Sequence, residues 1–117
     1  MVFYFALAPR LAGARCEETT LSVTVILELR IKPQSVGEAR TVMGRALQDT
    51  RKFNGNLGTD VLVDEDDEGH WLIYELWESV EHDEAYRAFR AGEGRLSELP
   101  PLLAVPPIKT RYSTSDI

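Results

Sequence analysis

Residues 21–31, LSVTVILELRI, alternate apolar and polar side chains with a period of two. Such alternation, rich in β-branched residues, predicts a strand with one apolar face. The residues of that face are Val23, Val25, Leu27, Leu29 and Ile31.

A helix is predicted directly after this strand. Pro33 ends the strand, and Ser35 with Glu38 matches the S-x-x-E capping box, which satisfies free backbone donors at a helix start. The helix is expected to run to about Arg51. Its expected buried stripe consists of Val36, Ala39, Met43, Ala46, Leu47 and Thr50.

Two further strands are predicted after the Asn54-Gly55 turn, over residues 59–63 and 70–77. The short acidic link DEDDEG between them favours a hairpin. Val61 and Val63 share a face of the first strand. The predicted inner face of the second consists of Trp71, Ile73, Glu75 and Trp77.

Ser79 is a good N-cap for a second helix, which Gly92 and Gly94 should end. A short helical turn, a proline-rich linker and a last strand over residues 108–113 complete the chain. The side of the helix expected to face the sheet carries Ala85, Tyr86, Phe89 and Arg90.

The predicted order is β-α-β-β-α-β, the ferredoxin-like α+β arrangement. We therefore expect a four-stranded antiparallel sheet with two helices on one face, formed by residues 21–117. The other face carries side chains too apolar for water, so a homodimer that packs sheet against sheet is expected. Those side chains are Ile26, Leu62, Leu72 and Leu76.

Residues 1–20 are predicted to be an N-terminal extension: an upstream start-codon artefact, an arm over a sheet edge, or a degenerate signal. Their apolar stretch, MVFYFALA, is far shorter than the roughly 20 residues that span a bilayer, and no basic residue precedes it. No membrane association is expected, and a cytoplasmic location is favoured. Cys16 is the only cysteine, so no disulfide within the chain is possible.

The net charge of −6, with no cluster of basic residues, argues against a nucleic-acid partner. The stretch from Asp64 to Glu75 nearly matches a calcium loop, but strand-like alternation flanks it, which favours an acidic hairpin turn. No metal site is predicted. His70 and His82, the only histidines, have no predicted partner and are expected at the surface.

Trp77 and Tyr86 are the best candidates for a functional site, because they lie on a strand and on the helix that covers it. Such a pair either packs the core or lines a pocket for a flat aromatic molecule. Glu75 shares the apolar strand face, and a buried carboxylate must be paired, protonated or functional. A salt bridge to Arg87 or Arg90 would be its structural explanation.

Three stretches together resemble the antibiotic biosynthesis monooxygenase (ABM) family, in order and spacing, over about residues 21–113. They are LSVTVILELRIKPQSVGEA, TRKFNGNLGTDVLVDEDDEGHWLIYELWES and DEAYRAF. The resemblance implies a ferredoxin-like fold, a dimer whose sheets form a shared α+β barrel, and a pocket between sheet and helices.

Several members of that family oxidise phenols or hydroquinones with O2 and no cofactor. By resemblance, Trp77 is the family's tryptophan, whose indole N–H can donate to a substrate oxygen, and Glu75 is the acid of E-x-W. Tyr86 falls nine residues after Trp77, where many members of the family have histidine and some polyketide oxygenases have a tyrosine in a comparable AYR setting. Where those enzymes carry asparagine, this chain has Ile73. The heme-degrading branch is disfavoured, because the first strand lacks its asparagine and the second helix lacks a histidine near Tyr86.

Two functions are therefore expected. In the first, Trp77 and Tyr86 orient a small aromatic substrate for O2, and Glu75 acts as base or orients the base. The substrate-binding residues would be Trp71, Ile73, Phe89 and Arg90. In the second, the protein is a dimeric ligand-binding protein that keeps the fold without the chemistry, an alternative supported by Ile73.

Overall fold

The computed structural model describes residues 21–117. The predicted N-terminal extension, including Cys16, lies outside the described residues.

The chain forms one antiparallel sheet of four strands and two main helices, which confirms the ferredoxin-like prediction. The sheet order is β2-β3-β1-β4. The strands are β1 (Val23–Arg30), β2 (Asn56–Asp64), β3 (Asp67–Trp77) and β4 (Ile108–Ser113). The helices are α1 (Val36–Lys52) and α2 (Val80–Ala91), with short 3-10 turns at Pro33–Ser35 and Pro100–Leu102.

The strand register explains why the alternation found in the sequence produces one inner face. In the β1–β3 ladder, Val25 pairs with Glu75 and Leu29 pairs with Trp71. Because paired residues point to the same side of a sheet, the alternating positions of both strands meet on the face that the helices cover. β2 and β3 form the predicted hairpin.

The inner face carries two neighbouring groups of buried apolar side chains. The α1 cluster is Leu29, Ile31, Ala39, Val42, Met43, Ala46, Leu47, Trp71, Ile73 and Leu102. The α2 cluster is Val23, Val25, Trp77 and Tyr86, with Phe53 and Phe89 packed against it. Leu27 contacts both clusters, so the core is continuous.

Two local predictions are wrong. Ser35 does not cap α1 with its side chain, because a 3-10 turn precedes the helix and places Ser35 at φ −109° and ψ 4°, outside the extended region that a capping serine adopts. Ala85 is exposed, whereas Asp83 and Tyr86 are the buried residues of α2. Asp83 lies on the buried side of α2 with three cations around its carboxylate, as described below.

The outer face of the sheet is uncovered in the described residues of one chain. Ile26, Leu72 and Leu76 are half-buried, and Leu62 is 50% exposed. Tyr74 and Tyr112 add exposed aromatic surface beside them. No helix within residues 21–117 has the length and apolar character needed to cross a membrane.

Gly55, at the turn between α1 and β2, should not accept a side chain without a loss of stability. Its φ is +90°, and an added Cβ would lie 2.2 Å from the ring of His82. We expect Gly55→Ala to lower the free energy of unfolding by about 1–3 kcal/mol, because strain and overlap add. Urea denaturation measures this change.

Gly44, in the middle of α1, is the matched control. An added Cβ meets no atom within 4 Å there, so Gly44→Ala should raise stability by about 0.5–1 kcal/mol. Equal effects of the two substitutions would contradict the described turn.

Candidate functional site

Trp77 and Tyr86 pack against each other, with tilted rings, at the junction of β3 and α2. Ser79 is the N-cap of α2: its hydroxyl accepts a hydrogen bond from the backbone N–H of His82. The helix therefore begins directly after β3. The two ring centroids are 4.9 Å apart, with an interplanar angle of 32°. Phe53 and Phe89 pack around them, with centroids 5.2 Å and 6.3 Å from that of Tyr86. The predicted pair therefore belongs to a cluster of four aromatic rings.

The Tyr86 hydroxyl has two partners. It lies 2.6 Å from Thr50 Oγ1 and accepts from Arg90 Nε at 2.7 Å. Since Thr50 Oγ1 donates to the carbonyl of Ala46, the Tyr86 hydroxyl donates to Thr50. Arg90 is held in turn by the carbonyls of Ala46 and Gly94. The hydrogen bonds orient the phenol, and the guanidinium of Arg90 places positive charge beside its oxygen.

Glu75 is 1% exposed and is bound on one side. Its Oε1 accepts from Trp77 Nε1 at 3.0 Å and from Arg87 Nη2. Its Oε2 has no hydrogen-bond partner within residues 21–117. The structure thus shows the salt bridge that would be the structural explanation for a buried Glu75, and its arginine is Arg87 rather than Arg90.

Asp83, whose burial the sequence did not reveal, lies at the centre of a second ion network, in which the carboxylate is buried and the cations are partly exposed. It is fully buried and accepts from Arg87 Nε at 2.9 Å, Lys109 Nζ at 3.0 Å and Arg111 Nη1 at 3.1 Å. Burial raises the pKa of Asp83, but these three hydrogen bonds outweigh it and hold the pKa below its usual value. The carboxylate is therefore ionised, and Arg87 joins it to Glu75.

A signal for this network exists in the sequence. Lys109 and Arg111 alternate on β4, so both point to the helix-covered face. Two cations on an inner face require a buried carboxylate nearby.

The other predicted site residues are divided between the two clusters. Trp71 and Ile73 belong to the α1 cluster, whereas Phe89 and Arg90 accompany Tyr86. Trp71 lines a cavity of about 320 Å³, and its indole N–H donates to the carbonyl of Glu68 at 2.7 Å. The remaining lining residues of that cavity are Arg40, Met43, Val61 and Val63.

Trp77 is fully buried and Tyr86 is 4% exposed. Neither lines the cavity beside Trp71 or any of three other cavities on residues 21–117. One of these, about 430 Å³, is formed by apolar side chains of the linker before β4. The aromatic cluster is therefore closed in this conformation.

Both histidines have partners that the sequence did not reveal, and their side chains are 19% and 28% exposed. His70 lies between Glu28 and Asp64, and His82 Nδ1 lies 2.7 Å from Ser79 Oγ. The His70 contacts join different strands, so periodicity could not reveal them. Within residues 21–117, no group of three or more His, Cys, Asp or Glu side chains is arranged to hold a metal.

The sequence model of one protein family, described as antibiotic biosynthesis monooxygenase, matches residues 22–94. The chain belongs to this family. The match includes β1, both helices, the β2–β3 hairpin and all the site residues except Lys109 and Arg111. Comparison with curated proteins finds no match.

Several solved structures share this fold. A conserved protein from Methanosarcina mazei is similar with a TM-score of 0.75 and 16% identity, over 82% of this chain and 95% of its own. Rv0793 from Mycobacterium tuberculosis gives 0.67 and 21%, over 82% and 97%. A mutant of SnoaB, a cofactor-independent oxygenase from Streptomyces nogalater, gives 0.71 and 12%, over 82% and 95%. At these identities the structures show a shared fold.

The ABM fold thus places Glu75, Trp77 and Tyr86 at one junction, and Arg87 connects that junction to β4 through Asp83. We expect Arg87→Met to lower the free energy of unfolding by about 3 kcal/mol, because a buried carboxylate loses its partner. Chemical denaturation measures the loss.

The same substitution in a Glu75→Gln background separates this contact from the others that Arg87 makes. There it should cost less than half as much, since no buried charge is left unpaired. The same cost in both backgrounds would show that Glu75 and Arg87 are not coupled.

Proposed function

We propose that this ABM protein is an oxygenase that oxidises a small phenol or hydroquinone with O2, without metal or flavin. The reaction site is the junction of β3 and α2, with Glu75 as base and with Trp77 and Tyr86 orienting the substrate. The observation that carries the proposal is Glu75: a buried carboxylate beside a closed aromatic cluster, with one oxygen bound and the other without a partner in the described residues.

The chemistry follows from that position. Oε2 of Glu75 takes the phenol proton, and the electron-rich ring carbon of the phenolate forms a bond to O2. The resulting peroxide anion takes the proton back from Glu75, and the hydroperoxide then loses water, together with the hydrogen of that ring carbon, as the quinone carbonyl forms. One oxygen atom stays in the product and the other leaves as water, so the electrons balance without another reductant. Arg87 keeps the other oxygen of Glu75 fixed, and Arg90 stabilises developing negative charge near Tyr86.

Substrate binding requires the aromatic cluster to open. Phe89 is half-buried, and its ring packs against Phe53 at a centroid distance of 5.4 Å. Displacement of the Phe89 ring would admit a flat molecule beside Tyr86. The indole N–H of Trp77 would then exchange its hydrogen bond to Glu75 for one to a substrate oxygen.

The same proposal includes a homodimer formed through the outer face of the sheet. Leu62, Tyr74 and Tyr112 are exposed there beside half-buried Ile26 and Leu72. A second copy offers the same apolar surface, and a twofold axis lets identical patches cover each other. The small aromatic substrate, O2 and this second copy are the proposed partners, and a cytoplasmic location remains a prediction.

A non-catalytic ligand-binding protein of the same fold is the second candidate. Two observations favour it: Ile73 supplies no polar group where the resemblance places asparagine, and the cavity beside Trp71 is open while Trp77 is enclosed. In that case aromatic ligands would raise the thermal stability without being oxidised.

Oxygen uptake with a panel of hydroquinones and naphthols tests the proposal. We expect uptake by the wild-type protein and a loss of at least about tenfold in Trp77→Phe and Tyr86→Phe. Each substitution removes one donor and leaves an aromatic side chain in place. An oxygen electrode measures uptake, and mass spectrometry identifies the quinone.

Trp71→Phe is the matched control. The indole N–H of Trp71 donates to the backbone carbonyl of Glu68, so the loss of this donor should not affect turnover. If Trp77→Phe and Tyr86→Phe both take up oxygen as fast as the wild-type protein, the proposed reaction site is wrong. Ligand binding without uptake, abolished only by changes at Trp71, would establish the second candidate.

A further inference from the structure

His70 joins three strands on the outer face of the sheet. Its Nδ1 lies 2.9 Å from Asp64 Oδ2 on β2, and its Nε2 lies 2.6 Å from Glu28 Oε2 on β1. His70 itself is on β3, between those two strands. Its side chain is 19% exposed. Both ring nitrogens therefore face carboxylates from opposite sides.

This arrangement suits the charged form of the ring. A neutral imidazole has one N–H and can satisfy one carboxylate, whereas an imidazolium donates to both. The hydrogen bonds to Asp64 and Glu28 raise the pKa of His70 above its ordinary value of 6.5. The bond from His70 likewise lowers the pKa of Asp64.

Other charged groups near the ring come from β1 and from the start of β3. Arg30 lies 3.5 Å from Glu28 and 3.8 Å from Asp67. Three carboxylates thus face two cations when His70 is charged and one cation when it is neutral. Loss of the proton doubles the excess negative charge of the cluster.

The cluster borders the apolar surface of the outer face. His70 and Asp64 line a cavity of about 270 Å³ with Leu62, Val63 and Leu72. Leu62 and Leu72 belong to the surface through which we propose that two copies associate. A change in the charge of His70 therefore occurs at the edge of that interface.

We propose that His70 couples dimer formation to protonation: the second copy of this chain binds the outer face when the imidazolium is held between Glu28 and Asp64, and it binds more weakly once the proton is lost. This inference rests on the proposed dimer.

The physical reason is desolvation. Association removes water from the cluster, and a neutral His70 would leave one of the two carboxylate oxygens that face its ring, Asp64 Oδ2 or Glu28 Oε2, without an N–H from that ring. An imidazolium donates to both oxygens. Dimerisation therefore favours the protonated form and raises the pKa of His70 further, and by linkage protonation favours the dimer.

The sign and size of the effect follow. The dimer should be tight below the raised pKa of His70 and should weaken as the pH rises through it. If association raises the pKa of His70 by one unit in each copy, the dimer Kd increases about a hundredfold across the transition. At the acid end, the lowered pKa of Asp64 keeps its carboxylate charged until well below its ordinary range.

Sedimentation equilibrium of the full chain between about pH 5 and pH 9.5 measures the dimer Kd, and NMR titration of the two histidine rings measures their pKa values. We expect the wild-type Kd to rise by at least about tenfold towards high pH and the Kd of His70→Gln to vary by less than about threefold. His82→Gln is the matched control, since His82 lies at the start of α2 and should keep the wild-type pH dependence.

Glu28→Gln provides a second variant in case His70→Gln does not fold. With one carboxylate removed, the pKa of His70 should fall, and the transition in Kd should move to lower pH with it.

Two results would overturn the inference in distinguishable ways. If the dimer Kd does not change with pH and His70 has its ordinary pKa, protonation is not coupled to association, but the proposed dimer is retained. A monomer at every pH removes both, and a high pKa of His70 in that monomer would show that the strand contacts alone hold the proton.

Discussion

The burial of the Glu75 carboxylate is the interaction on which the rest of the site depends. An ionised carboxylate cannot leave water without compensating donors, and here an indole N–H and a guanidinium provide them on one oxygen. Because those donors come from Trp77 on β3 and Arg87 on α2, the contact fixes how the helix sits on the sheet. Asp83 extends the arrangement to Lys109 and Arg111 on β4.

The aromatic cluster and this ion network occupy the same end of the inner face and are in contact. The rings of Trp77 and Tyr86 keep water away from Glu75, while Arg87 and Arg90 lie over the ring of Tyr86 at 4.7 Å and 5.2 Å. The opposite end, around Trp71, is packed by α1 and carries an open cavity. The two proposed functions thus correspond to two ends of one fold.

Much of the architecture could be predicted from the sequence, because period-two alternation assigns each strand residue to a face whatever its partner. This alternation predicts the inner face of β3 correctly, and its residues Trp71, Ile73, Glu75 and Trp77 are all buried. The start of α1 was mispredicted because S-x-x-E is a local pattern, and the preceding 3-10 turn changes the backbone at Ser35. The partners of Asp83 and His70 come from distant strands, so they depend on tertiary packing that no local pattern encodes.

The central claim is that an aromatic ligand enters beside Trp77 rather than Trp71. The chain has two tryptophans and hence two indole N–H resonances, whose ¹⁵N–¹H shifts can be followed while a hydroquinone is added without oxygen. The claim predicts that the Trp77 indole resonance moves with saturation, as its hydrogen bond to Glu75 is exchanged, while the Trp71 resonance stays in place. Movement of the Trp71 resonance alone, or of neither, would contradict it.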